Sequence, residues 1–86
     1  MSKVLRPVED REMAHIVQDG NGKTYYVDTA WAFDTDMYEL MAFPCKKNGK
    51  VSIRDWGRPV VTLTDSNYDR IREMHEYVIN HIEAFL

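Results

Sequence analysis

The sequence predicts an α+β domain: an antiparallel β-meander of three to five short strands packed against one long C-terminal α-helix. Two observations predict it. Residues 64–86 carry an unbroken helical period, and residues 13–63 carry short strand-like runs parted by Asp-Gly and Asn-Gly turns. Strands this short need an apolar partner, and the helix supplies one.

The helix is the most regular element. With Tyr68 at zero on a wheel of about 100° per residue, Ile71, Met74, His75, Val78, Ile79, Ile82, Phe85 and Leu86 share one arc of roughly 140° with it. Asp69, Arg70, Arg72, Glu73, Glu76, Asn80 and Glu83 lie opposite. Thr64-Asp65-Ser66 offers an N-cap oxygen, and Asp65 and Asp69 suit the positive end of the helix dipole. No Gly or Pro interrupts residues 67–86, so the helix is expected to run to Leu86, about 30 Å from Asp65.

The strands come earlier. Residues 1–12 are charged, contain Pro7 and read as a flexible lead-in or an irregular edge segment, with a single domain over residues 13–86. Met13–Gln18 and Lys23–Asp28 flank Asp19-Gly20-Asn21-Gly22, a hairpin pattern whose turn residues tolerate positive φ. Thr29–Asp36 is ambiguous: Trp31 and Phe33 alternating with Ala30 and Ala32 suggest an extended continuation, and Asp34-Thr35-Asp36 reads as a turn or a strand bulge. Met37–Phe43 is the next strand, and Pro44, which has no N–H, is expected to end its central pairing. A turn at Lys46–Gly49 leads to a returning strand over Val51–Trp56, and Val60–Leu63 leads into the helix. Alternation points Met41, Phe43, Val51 and Ile53 inward, together with Tyr25 or Tyr26.

Composition bounds the function. Eighty-six residues make one domain, and the 44% hydrophobic and 12% aromatic content is that of a packed chain. A net charge of −3 with interspersed signs lacks the basic excess of a general nucleic-acid binder. Cys45 is the single cysteine, so no intrachain disulfide or cysteine-based metal site forms, and a cytoplasmic location is expected. The first residues lack the apolar core of a signal peptide, and no run reaches the length of a membrane span. No membrane partner is expected.

Tyr38-Glu39-Leu40-Met41-Ala42-Phe43, Asp55-Trp56 and an isolated His75 in the helix resemble a pattern of small proteins encoded by bacteriophages and prophages. That pattern is a Tyr-Glu-x-Met-x-Phe strand, a short turn, an aspartate–tryptophan pair and a histidine-bearing helix. The resemblance covers about the last fifty residues and its motifs are loose. Lys46-Lys47 departs from it, since acidic turns are commoner there. It implies a phage or prophage origin and carries no activity.

Candidate chemistry is sparse. His75 lies in the apolar arc, where a buried imidazole must satisfy both ring nitrogens. A structural histidine bonded to a strand carbonyl, Trp or Asp is the expectation, with a functional buried histidine as the alternative. His15 reads as a surface or half-buried strand residue. His81 is six residues from His75, too far around the helix to share a metal with it. Asp28, Asp34, Asp36 and Glu39 are carboxylates suited to a hard cation, but without an EF-hand pattern they read as solvated turn residues. Lys46 and Lys47 flank Cys45, yet nothing positions a base for it. No catalytic, cofactor or metal site is assigned.

Tyr77 stands on the polar side of the helix beside His81 and Ala84, and is a candidate interface residue. Trp31 and Trp56 read as core or half-core residues and join Tyr77 and His81 as candidate interface positions. Lys46, Lys47, Lys50, Arg54 and Arg58 gather on one predicted hairpin with Trp56 and are candidate phosphate contacts. The leading functional expectation is a non-enzymatic protein–protein interaction or accessory module, binding a host or phage protein. Alternatives are a self-associating homo-oligomer, a ligand binder or enzyme using His75 with Asp55 or nearby carboxylates in a pocket beside His75, and a nucleic-acid binder through the Lys46–Arg58 hairpin.

Overall fold

A computed structural model describes residues 2–86. Its strands are β1 (Lys3–Pro7), β2 (Ala14–Gln18), β3 (Thr24–Ala32), β4 (Met37–Cys45) and β5 (Val61–Asp65). They form one antiparallel sheet in the order β1-β2-β3-β4-β5. A one-turn helix α1 (Ile53–Trp56) precedes β5. The main helix α2 (Tyr68–Asn80) and a 3₁₀ turn (Ile82–Phe85) follow it. The architecture is α+β, with α2 laid on one sheet face.

The β2–β3 hairpin forms where the sequence predicts it. Asp19 N–H donates to the Lys23 carbonyl, and Asp19 Oδ1 accepts from Asn21 N and Lys23 N at 2.8 and 3.0 Å. Gly22 supplies the positive φ of 84° that closes the turn. The Lys46–Lys50 turn repeats this backbone pattern, with Gly49 at φ 88°.

Period-two alternation gives the sheet two apolar faces. Val17, Tyr25, Val27, Leu40, Ala42 and Val61 meet Ile71, Val78, Ile79 and Ile82 beneath α2. Ala14, Ile16, Tyr26, Phe43 and Val51 cluster on the other face. Phe43 and Val51 are therefore buried as expected, but away from the helix. Trp56 covers them, with ring contacts to Phe43 (4.8 Å) and Tyr26 (5.6 Å).

Two expectations are overturned, for residues 51–56 and for the helix end, and two hold in part, for residues 1–12 and Pro44. The predicted strand over Val51–Trp56 is replaced by α1. Ser52 Oγ accepts from Asp55 N at 3.1 Å and donates to Asp55 Oδ2 at 2.9 Å. Ser52-Ile53-Arg54-Asp55 is thus a short capping motif that favours a helical turn over a strand. Ile53, expected inward, lies 93% exposed at its start.

The expected flexible lead-in, residues 1–12, contains edge strand β1, paired with β2 through an irregular register between Val4 and Arg6. The irregular-edge alternative describes it. Ser2 Oγ donates to the Asn80 carbonyl at 2.8 Å, and Arg6 Nη2 to the Lys47 carbonyl at 2.6 Å, so both ends of β1 are tied down.

Helix α2 stops at Asn80 instead of Leu86. The Asn80 side-chain amide donates to the Glu76 carbonyl at 2.8 Å and competes with the backbone ladder. His81 N then bonds back to Val78 O, and the Ser2 hydroxyl takes the Asn80 carbonyl left by the break. The N-cap is Asn67, whose Oδ1 accepts from Arg70 N at 3.0 Å. Asp65 instead accepts Asn67 N and the Arg70 guanidinium.

Pro44 lies inside β4, opposite Tyr25. The Ala42 carbonyl accepts from Val60 N, and Pro44, two residues on, faces the same side beyond the last β4–β5 pair. A residue without an N–H costs nothing at such an edge.

Candidate functional site

Three places in this fold hold more than packing chemistry. The first is inside the core. His75, on the α2 face turned to the sheet, is 1% exposed. Its Nδ1 lies 2.8 Å from Thr29 Oγ1 on β3, and its Nε2 lies 2.9 Å from His15 Nδ1 on β2. Both ring nitrogens are satisfied, by a hydroxyl and a second imidazole rather than a carbonyl, Trp or Asp. Either Thr29 donates to His75, which donates to His15, or the direction reverses; both arrangements keep His75 neutral. Burial, with the nearby His15 adding to it, pushes His75 down to about 4.

The ligand-binding alternative called for an open pocket at His75. The imidazole is instead sealed, and Asp55, named as its helper, sits in α1 bonded to Ser52. His15 is half-buried, so the chain Thr29–His75–His15 runs from the interior toward the surface. Period two places His15 in phase with Val17, on the face that α2 covers. That phase gives His15 and Val17 a common face, and the packing of α2 on that face brings His15 to His75.

The second place is the corner where β3 and β4 outrun β2. Trp31 meets Tyr38 edge-to-face at 4.8 Å, and Tyr38 meets Tyr68 at 5.6 Å. The Tyr68 hydroxyl donates to Glu12 at 2.5 Å. These rings, with Thr29 and the residues 10–13 segment, bound a cleft of about 370 Å³. Thr29 N–H makes the last backbone bond to Met13 of the β2 side. Trp31, two residues on and facing the same way, has no strand opposite it. Trp31 is 37% exposed and joins neither core cluster, so it is an exposed residue at an open edge and not the core or half-core residue expected.

The third place is the groove between α2 and β5. Leu63, Met74, Tyr77 and Phe85 line about 420 Å³ of open, mostly apolar space, with Arg70 and Glu73 on its rim. Tyr77 is 55% exposed. Its ring rests 4.5 Å from His81 and 5.9 Å from Phe85. The break after Asn80 makes this possible, since the 3₁₀ turn folds Phe85 back toward Tyr77. Asp65 holds Arg70 through two hydrogen bonds, 3.0 and 3.1 Å, at the end of β5.

The remaining candidates are dispersed or capped. Trp56, 45% exposed, is the lid of the second apolar cluster. Lys46, Lys47 and Lys50 are exposed on their turn, and Arg54 and Arg58 are exposed in and after α1. They follow a turn and a helical turn, not the two strands of a hairpin. Burial raises the Cys45 thiol above its ordinary range, with Thr24 and Arg6 opposing. Asp34 and Asp36 are exposed on the β3–β4 turn, and Asp28 and Glu39 are partly buried. Among the described residues no three His, Cys, Asp or Glu side chains converge on a metal position, and no helix is long and apolar enough to cross a membrane. No family model, curated protein or solved structure matches the chain.

Proposed function

We propose that this domain is a non-enzymatic interaction module that docks through the open edge of β5 and the apolar groove beside it, and that its occupant is a second copy of the chain. The contrast between the two sheet edges carries this reading. β1 is guarded: Lys3, Arg6 and Pro7 and an irregular register oppose further pairing. β5 is Val61-Thr62-Leu63-Thr64-Asp65, rich in strand-forming residues, with no lysine, proline or bulge within its β4 register. An unguarded edge next to exposed apolar side chains supports strand addition.

Self-association is favoured by the rim. Arg70, held in place by Asp65, and Glu73 carry opposite charges on one groove, so a two-fold axis lets Glu73 of each copy approach the Arg70–Asp65 pair of the other. Apposing two grooves also covers Leu63, Met74, Tyr77 and Phe85 of both copies at once. A chain of 86 residues gains from such added burial.

Amide hydrogen exchange at low and high protein concentration tests the docking surface. The β5 amides should become more protected as concentration rises while the β1 amides do not change. Protection of β5 that ignores concentration but rises with an added extended partner peptide would replace the second copy with a different protein. No change under either condition would remove β5 as the docking edge.

A further inference from the structure

We propose that the cleft bounded by Trp31, Tyr38 and Tyr68 binds an alkylated ammonium group. This site is separate from the β5 groove and does not depend on it. The three rings line the cleft and meet in successive edge-to-face contacts, at interplanar angles of 73° and 67°. Aromatic faces attract a cation within about 6 Å of the ring centre, and Trp does so best. Trp31 and Tyr68 are each more than a third exposed, which leaves ring surface open to a ligand.

The charges at the cleft favour a cation. Asp10 and Glu12 bring two carboxylates to the cleft against the single guanidinium of Arg11. Glu12 accepts the Tyr68 hydroxyl, which holds the ring in place and enriches its electrons. The floor is fixed as well, because the Thr29 hydroxyl is committed to His75. A volume of about 370 Å³ suits a small head group. An alkylated ammonium, whose charge is spread under methyl groups and weakly hydrated, loses little on entering such a space.

The test uses the indole N–H resonances of the intact protein, with Trp56 on the other sheet face as internal control. Choline should shift the Trp31 resonance saturably and leave that of Trp56 in place. Choline's uncharged carbon analogue should bind at least about tenfold more weakly, because it keeps the shape and loses the cation–π attraction. A capped trimethyl-lysine tests whether the group arrives on a protein side chain, and saturable binding of either cation supports the site. Equal binding of the charged and neutral analogues, or no Trp31 shift with either cation, would overturn it. The wild-type chain suffices, so a folding defect cannot mask the answer.

Discussion

The sealed His75 imidazole makes stability depend on pH in a defined direction. In the fold the imidazole titrates at about 4; in the unfolded chain it returns to its ordinary 6.5. Between these values the unfolded chain takes up a proton that the native protein refuses. Stability from the neutral imidazole is therefore fully present above pH 6.5 and is lost as pH falls toward 4. At about 1.4 kcal/mol per unit, the separation is on the order of 3 kcal/mol, a large share of the stability of a small domain. The assay is urea unfolding at pH 7 and pH 4.5, for wild type and His75→Gln, which keeps a donor and an acceptor but does not titrate there. Wild type should lose more stability than the variant across this interval, by on the order of 2–3 kcal/mol. An NMR titration of the His75 ring gives the folded value directly. Titration near 6.5 with equal losses in both proteins would refute the sealed imidazole.

Other perturbations separate backbone strain from crowding. A Cβ at Gly49 would meet Ile16 Cδ1 at 3.1 Å, whereas one at Gly22 has a nearest neighbour at 3.9 Å. Both sit at positive φ, so Gly22→Ala should cost about 1 kcal/mol from strain alone and Gly49→Ala roughly twice that, by denaturant midpoint. Asn67→Ala removes the N-cap of α2 and should cost about 1 kcal/mol in the same measurement, with increased amide exchange in the first turn. Equal costs at the two glycines, or no cost at Asn67, would contradict the contacts assigned to them.

Much of the fold was legible from local chemistry. The β2–β3 hairpin and β4 follow from Asp/Asn-Gly turns and branched or aromatic runs, and α2 from its 3.6-residue period. What failed was decided by short polar side chains. Ser52 and Asp55 turn a strand-like run into α1. Asn80 ends a helix whose apolar stripe continues, and Asn67 takes the cap expected of residues 64–66. Strand alternation marks which residues share a face but not which face receives the helix, so the inward expectation holds for Phe43 and Val51 on the face away from α2. At the candidate sites, the buried position of His75 and the outward Tyr77 were readable on the wheel. The pairing of His75 with His15 and Thr29, and the meeting of Trp31, Tyr38 and Tyr68, depend on register between distant strands, which no local pattern specifies.

The central claim, docking through β5 and its groove, is tested most directly by mass in solution. Sedimentation velocity from low to high micromolar concentration should show wild type passing from monomer to dimer. Thr62→Lys, which guards the edge, and Tyr77→Asp, which charges the groove, should remain monomeric at all concentrations with an unchanged circular dichroism spectrum. A wild-type protein that stays monomeric at high micromolar concentration, or variants that dimerise as well as wild type does, would contradict the account.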